Sequence, residues 1–186
     1  MDLRRRPGQG RYARPEREQR WVLGQLPDGL ASPTAIVDWY LSGTTLRVRR
    51  TEAGSEVVYK LGQKVRPDEA SPAVVKLTNI YLTEPEYTML RWLPGHELRK
   101  TRWRLSPDGA ATGSSANHGI VVDEFHGHLA GLVLAEIELA PEDALVALPG
   151  IAGLDVTFDD RFSGGRLAGA STAEVRDLLT LAAAAG

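Results

Sequence analysis

The sequence predicts a mainly β fold, a closed barrel with a charged interior and a few helices outside it. Two observations carry this expectation. Short segments of strand character follow one another at close spacing, separated by turn residues. In several of them every second residue is charged, so one face of the strand carries ions and the other carries apolar bulk.

The elements follow in order. Residues 1–14 hold Arg4, Arg5, Arg6, Arg11 and Arg14 among Gly and Pro, and read as a flexible, solvated basic tail rather than a nucleic-acid arm. Glu16 to Leu23 is the opening strand. Thr45 to Arg50 and Glu56 to Leu61 flank the turn-rich Glu52-Ala53-Gly54-Ser55, a hairpin. Val74 to Leu82 alternates apolar and polar residues. Thr83 and Pro85 mark the N-cap and first turn of a helix over Glu84 to Leu93. Arg99 to Leu105 is a strand stopped by Ser106-Pro107-Asp108-Gly109. Ile120 to Phe125 and Leu132 to Leu139 are strands joined through Gly127 and Gly131. Pro141 to Leu148 suggests a short helix, and Ser171-Thr172-Ala173-Glu174 caps a final one over 171–186, packed on a main domain of residues 15–170.

Strand parity then selects a barrel over a sandwich. Glu16, Glu18 and Arg20 share a face, as do Arg47 with Arg49, Lys60 with Lys64, Lys100 with Arg102 and Arg104, and Glu136 with Glu138. The opposite faces carry residues such as Trp21, Val48 and Trp103. An ordinary wet face mixes Thr, Ser and both charge signs. Here cations dominate some strands and paired carboxylates others, which fits a charged lumen with the apolar faces turned outward under helices. Two unit charges about 4 Å apart interact by ~4 kcal/mol at an effective dielectric near 20, so such a lumen repels itself when empty. Polyphosphate oxygens satisfy Arg and Lys, and Mg²⁺ or Mn²⁺ bridges carboxylates to phosphate.

Composition bounds the alternatives. The 186 residues suffice for a sizeable core, with 42% apolar and 25% charged residues. A net charge of −2 means that any phosphate affinity comes from local clustering. The absence of cysteine excludes disulfides, thiolate metal sites and cysteine catalysis. No apolar run reaches membrane-spanning length and no apolar signal region follows the basic start, so the expected compartment is the cytoplasm, with no membrane partner.

In order and spacing these residues resemble the CYTH superfamily, the triphosphate tunnel metalloenzymes, in their bacterial form. Glu16-Arg17-Glu18-Gln19-Arg20 matches the Glu-x-Glu-x-Lys signature, and Tyr40-Leu41 with Arg47-Val48-Arg49 matches the next block. Tyr59-Lys60-Leu61-Gly62-Gln63-Lys64 and Lys100-Thr101-Arg102 match the two lysine strands. Asp123, Phe125, Gly127, Leu129, Gly131-Leu132, Glu136-Ile137-Glu138 and Val156-Thr157-Phe158-Asp159 match the late blocks. The resemblance spans Pro15 to Ala168. It implies an eight-stranded antiparallel barrel and metal-dependent chemistry on inorganic triphosphate, a small organic triphosphate or polyphosphate. It implies that Arg47, Arg49, Lys60, Lys100 and Arg102 grip phosphate. Glu16, Glu18, Glu136, Glu138 and Asp159 would hold Mg²⁺ or Mn²⁺, and Glu16, Glu18, Arg20 and Glu138 would form the catalytic set. Arg20 stands in place of the signature Lys, and a guanidinium does not serve as a proton acceptor. Phe162 and Gly164 stand where relatives carry Tyr and Asn.

Hydrolysis is the leading expectation. Class IV-type cyclisation of ATP to cyclic AMP is the first alternative, and it needs an adenine pocket that the sequence does not locate. A non-catalytic triphosphate or polyphosphate binder is the second, suggested by Arg20. No specific nucleic-acid partner is expected, and the oligomeric state is open, a homodimer included. His126 and His128 read as a solvated turn rather than a metal pair, and Trp39, Trp92 and Trp103 as packing rather than base stacking. Ser114-Ser115 lacks a nucleophile-elbow context, and Gly164-Gly165 is too short to argue for a phosphate loop.

Overall fold

A computed structural model describes residues 12–65, 74–105, 119–140, 143–147 and 151–185, residue 74 by its backbone alone. Met1 to Arg11 of the basic tail, the turn at 106–109 and Ser114-Ser115 lie outside the described residues. The strands are β1 Arg14–Leu23, β2 Leu30–Leu41, β3 Leu46–Ala53, β4 Glu56–Val65, β5 Val74–Leu82, β6 Gly95–Leu105, β7 Val121–His126, β8 Val133–Leu139 and the two-residue β9 Leu154–Asp155. Helices α1 Glu84–Arg91, α2 Gly164–Ala168 and α3 Thr172–Ala183 lie among them. The ladder runs β5-β4-β3-β2-β6-β7-β8-β1-β9, and β5 also pairs with β1. That last pairing closes β1 to β8 into an eight-stranded antiparallel barrel, with β9 added to the side of β1.

β2 is a strand that the pattern of apolar and polar residues does not reveal. It is central, paired to β3 on one side and β6 on the other. Ser32 and Pro33 hid it, because Pro lacks a ladder donor and reads as a strand breaker. The structure accommodates them in a bulge: the β2–β6 register shifts between Ala31 and Thr34, and Ser32 takes a φ of 54°. The β3–β4 hairpin is longer than expected. It closes at Ala53 and Glu56 around Gly54-Ser55, where Gly54 has a φ of 59° that a side chain would resist.

The helix expected over 141–148 does not form across its described part, since residues 143–147 have no regular structure. These residues bond to β1 instead of to one another. The Val146 N–H donates to Gln19 Oε1 at 2.8 Å, and Gln19 Nε2 donates back to the Val146 carbonyl at 3.0 Å. Arg17 Nη1 donates to the Asp143 carbonyl at 2.5 Å. Val146 and Ile151 then pack on the outer faces of β1, β7 and β8, against Trp21, Val122, Ala135 and Ile137. A strap rather than a helix therefore covers that apolar wall. On the opposite wall a helix does the work: α1 seats Tyr87 and Leu90 against Trp39, Val48, Tyr59 and Leu61.

Both longer helices start in capping boxes, Thr83 with Glu86 and Ser171 with Glu174. α3 buries Val175, Leu178 and Ala182 in a core shared with Val22, Leu129, Leu132 and Phe162. Trp92 departs from the packing expectation. It sits at the C-cap of α1 with 85% of its surface exposed.

Candidate active site in the barrel lumen

The lumen holds a cavity of about 430 Å³, within the ~300–1,000 Å³ typical of small-molecule sites. Alternation along each strand builds it. Glu16, Glu18 and Arg20 come from β1, Arg47 and Arg49 from β3, Lys60 from β4, Lys100 and Arg102 from β6, and Glu136 from β8, and all line this one cavity. Along these inward columns the character changes from charged to apolar. Val22 succeeds Arg20, Leu98 precedes Lys100, Phe125 follows Asp123 and Leu134 precedes Glu136, and these apolar members join Phe162 and Leu167 in the buried core.

Two expected ligands stand apart. Glu138 shares the parity of Glu136 and pairs across the ladder with Glu18, but it is exposed and does not line the cavity. Asp159 caps a short 3₁₀ turn over Asp160–Phe162 and grips Arg161, with Nη2 at 2.6 Å, outside the cavity lining. His126 and His128 have separate partners, Thr101 Oγ1 at 2.8 Å and the Leu167 carbonyl at 3.1 Å, so neither is simply solvated.

Most of the ions that the barrel strands bring to the lumen fall into three clusters. Lys64 lies between the paired carboxylates, its Nζ 2.6 Å from Glu16 Oε2 and 3.4 Å from Glu18 Oε1. Burial and the adjacent Glu18 charge push the Glu16 carboxyl up. Burial also opposes ionisation of Glu18, but Lys64, Arg20, Arg102 and Lys100 outweigh it and bring that carboxyl down to about 2. The second cluster centres on Asp38 of β2, buried between Arg49 and Arg47. The third centres on Asp123 of β7, which is fully buried and binds both Lys100 and Arg102. Arg102 holds it bidentately, at 2.7 Å to each oxygen, and also donates to Glu136 at 2.5 Å. Burial lowers the Lys100 ammonium, whereas the carboxylates around Arg102 raise its guanidinium against the same burial.

Arg20 is 6% exposed. Its Nη1 donates to the Phe162 carbonyl at 2.9 Å and its backbone N–H to Thr157 Oγ1 at 3.1 Å. Its Nε has no acceptor among the described residues, although it is buried at the cavity wall. An unfilled buried donor of this kind suits an anionic ligand.

The chemistry of the acidic cluster also suits a hard divalent cation. Glu16 and Glu18 offer oxygen donors, repel each other, and already share one cation in Lys64. No group of three or more carboxylate and imidazole side chains is arranged as a complete metal cage among the described residues. A metal held there would therefore take further oxygens from substrate or water.

Tyr40 and Gly164, the first residue of α2, meet too closely for any residue but glycine. A Cβ on Gly164 would lie 2.0 Å from Tyr40 Oη, while one on Gly165 would lie at an ordinary 3.6 Å from that ring. Gly164→Ala should therefore lower stability by about 1–3 kcal/mol, the range for overpacking, or roughly 2–12 °C in Tm. Gly165→Ala should leave Tm within about 2 °C of the parent; scanning calorimetry of the two variants checks the contrast.

Asp38 makes an acid-side prediction. Burial opposes its charge, but Arg49, Arg47 and Lys100 outweigh it and hold the carboxyl below its ordinary 3.8. The unfolded chain then binds the proton first, so this contribution is present above about pH 3.8 and is lost as pH falls toward the folded value. The Tm gap between the parent and Asp38→Asn should narrow below that pH. A gap constant from pH 5 to pH 2 would contradict the assignment.

No protein-family model matches the chain, and no curated protein matches it. Solved structures do. The crystal structure of the inorganic triphosphatase NE1496 superposes with a TM-score of 0.53 at 26% identity, covering 84% of this chain and 95% of that one. A second structure of the same protein, described as hypothetical protein NE1496, gives a TM-score of 0.52 at 25% identity over 82% of this chain and 97% of that one. No helix among the described residues is long and apolar enough to cross a membrane. The closed eight-stranded barrel and its charged lumen are thus similar in structure to the inorganic triphosphatase NE1496, and the likeness is consistent with a CYTH domain.

Proposed function

We propose that the protein is a divalent-metal-dependent hydrolase of inorganic triphosphate or a small organic triphosphate. The observation that carries this reading is the convergence, from the barrel strands, of four carboxylates (Glu16, Glu18, Asp38 and Glu136) and seven cationic side chains (Arg20, Arg47, Arg49, Lys60, Lys64, Lys100 and Arg102) on one cavity of about 430 Å³. The inorganic triphosphatase activity named for NE1496 supports the substrate class.

Arg47, Lys60 and Arg20 would contact phosphate first, because their donors are the least committed to carboxylates. Arg49, Lys100 and Arg102 would act as a preset frame around them, held by Asp38 and Asp123. Glu16 and Glu18 would hold Mg²⁺ or Mn²⁺, with Glu136 facing the same cavity from the Arg102 cluster; exposed Glu138 and Arg161-bound Asp159 stand outside it. When bound, the metal supplies charge neutralisation and polarisation of phosphate oxygens. Glu18, kept ionised at the centre of the cations, would orient a water for attack on the terminal phosphorus, and Arg20 would stabilise charge on the departing oxygens.

Orthophosphate release from tripolyphosphate should appear with Mg²⁺ or Mn²⁺ and vanish with EDTA. Absence of turnover on tripolyphosphate, thiamine triphosphate and ATP, with either metal, would refute the reading. Parallel measurement of cyclic AMP from ATP separates the cyclase alternative. The Arg20 geometry favours one second reading, a triphosphate binder with little turnover, because its guanidinium is tied to the Phe162 carbonyl and takes up no proton. Arg20→Lys discriminates: a large gain in rate would place the parent nearer to a binder.

A further inference from the structure

Asp38 is an unexpected group for a cavity that takes an anion. It is 1% exposed, points into the lumen from β2, and stands directly across the ladder from Arg49. Arg49 donates to both of its oxygens, from Nε at 2.6 Å and from Nη2 at 2.7 Å, and Arg47 Nε lies 3.5 Å away. A guanidinium fork offers carboxylate and phosphate the same pair of parallel N–H bonds, so a fork filled by one is closed to the other. Lys60, by contrast, rests its ammonium 5.0 Å over the Tyr81 ring and has no carboxylate partner among the described residues.

Building on the triphosphate-binding function proposed above, we infer that Asp38 is a specificity-determining residue: a built-in counter-anion that occupies Arg49 and keeps the affinity of the lumen for metal-free triphosphate low. A bare tripolyphosphate ion carries the most negative charge and is the species most repelled by one more buried carboxylate. Its magnesium complex carries less charge and is repelled less. Asp38 thereby biases the tunnel toward the metal-complexed form and leaves direct gripping to Lys60, Arg20 and Arg47.

The test is calorimetric titration of the full chain with tripolyphosphate, once in EDTA and once with excess Mg²⁺. It compares the parent, Asp38→Asn, and the charge-balanced double variant Asp38→Asn with Arg49→Gln. Asp38→Asn should tighten binding in EDTA by about tenfold and binding in Mg²⁺ by about threefold or less. A merely structural lesion would weaken both. The double variant should bind in EDTA within about threefold of the parent, since it removes a carboxylate and a guanidinium that cancel. Unchanged or weaker binding by Asp38→Asn in EDTA, or an equal gain in both buffers, would overturn the inference. So would a loss of more than about tenfold in the double variant, which would mean that Arg49 grips phosphate despite Asp38. The double variant decides the matter alone if Asp38→Asn does not fold. Failure of the parent to bind tripolyphosphate in either buffer would overturn the proposed function itself, and is distinguishable from all of these.

Discussion

Glu16→Gln combined with Glu18→Gln is expected to lower metal-dependent orthophosphate release by about 10³-fold or more. The two carboxylates line the same cavity wall and share the Lys64 ammonium. Several kcal/mol of transition-state stabilisation go with a metal held at such a site, and each ~1.36 kcal/mol is tenfold in rate. The two positions are not equivalent. Glu18 is held ionised by four surrounding cations, whereas burial and its neighbour push Glu16 toward its neutral form. Glu18→Gln should therefore cost more than Glu16→Gln. Affinity for tripolyphosphate in EDTA should move the other way, because two anions have left the lumen. A double variant that retains parent-like turnover would refute the metal assignment, and one that loses both rate and metal-free affinity would point to collapse of the lumen.

The second large effect falls on stability. Asp123→Ala leaves Lys100, whose side chain is 9% exposed, without its carboxylate and removes the bidentate partner of Arg102. Stripping one partner from a buried ion cluster costs about 3–5 kcal/mol, roughly 6–20 °C in Tm for a chain of this size. Arg102 keeps its bond to Glu136, while among the described residues Lys100 is left with the Phe125 ring, 5.5 Å from its Nζ, and the more distant Glu136 charge. The strain should therefore concentrate on Lys100, and a further Lys100→Met change should recover part of the lost Tm. No recovery would mean that Asp123 acts through the strand ladder rather than through the buried ammonium.

Parity makes the walls of the lumen legible in the sequence, because alternation on a strand is strict and charge on one face is plain to see. The barrel closure, β5 on β1, and the convergence of Glu16, Glu18, Arg47, Arg49, Lys100, Arg102 and Glu136 follow from it. What parity could not show was neutralisation within the site. Asp38 sits in the run Ile36-Val37-Asp38-Trp39-Tyr40, inside a strand that Ser32 and Pro33 disguised. A single acid amid β-branched and aromatic residues was the available signal, since a buried charge must be paired. Residues 143–147 failed as a helix for a related reason: Gln19 supplies side-chain partners to the Val146 backbone that no local pattern reveals.

The pairing of β1 has a consequence for assembly. It is the first strand among the described residues, yet its ladder partners are Val74 to Leu77 on one side and Val133 to Leu139 on the other, and Gln19 waits for Val146 and Asp155. While the rest is being made, β1 is an open edge, the kind of surface that recruits foreign strands. Arg14, Glu16, Arg17, Glu18 and Arg20 put a charge at five of the ten positions of that edge. The residues proposed to hold metal and phosphate in the finished barrel thus serve earlier as gatekeepers against aggregation. Neutralising them for an activity assay should also lower the yield of soluble protein on refolding.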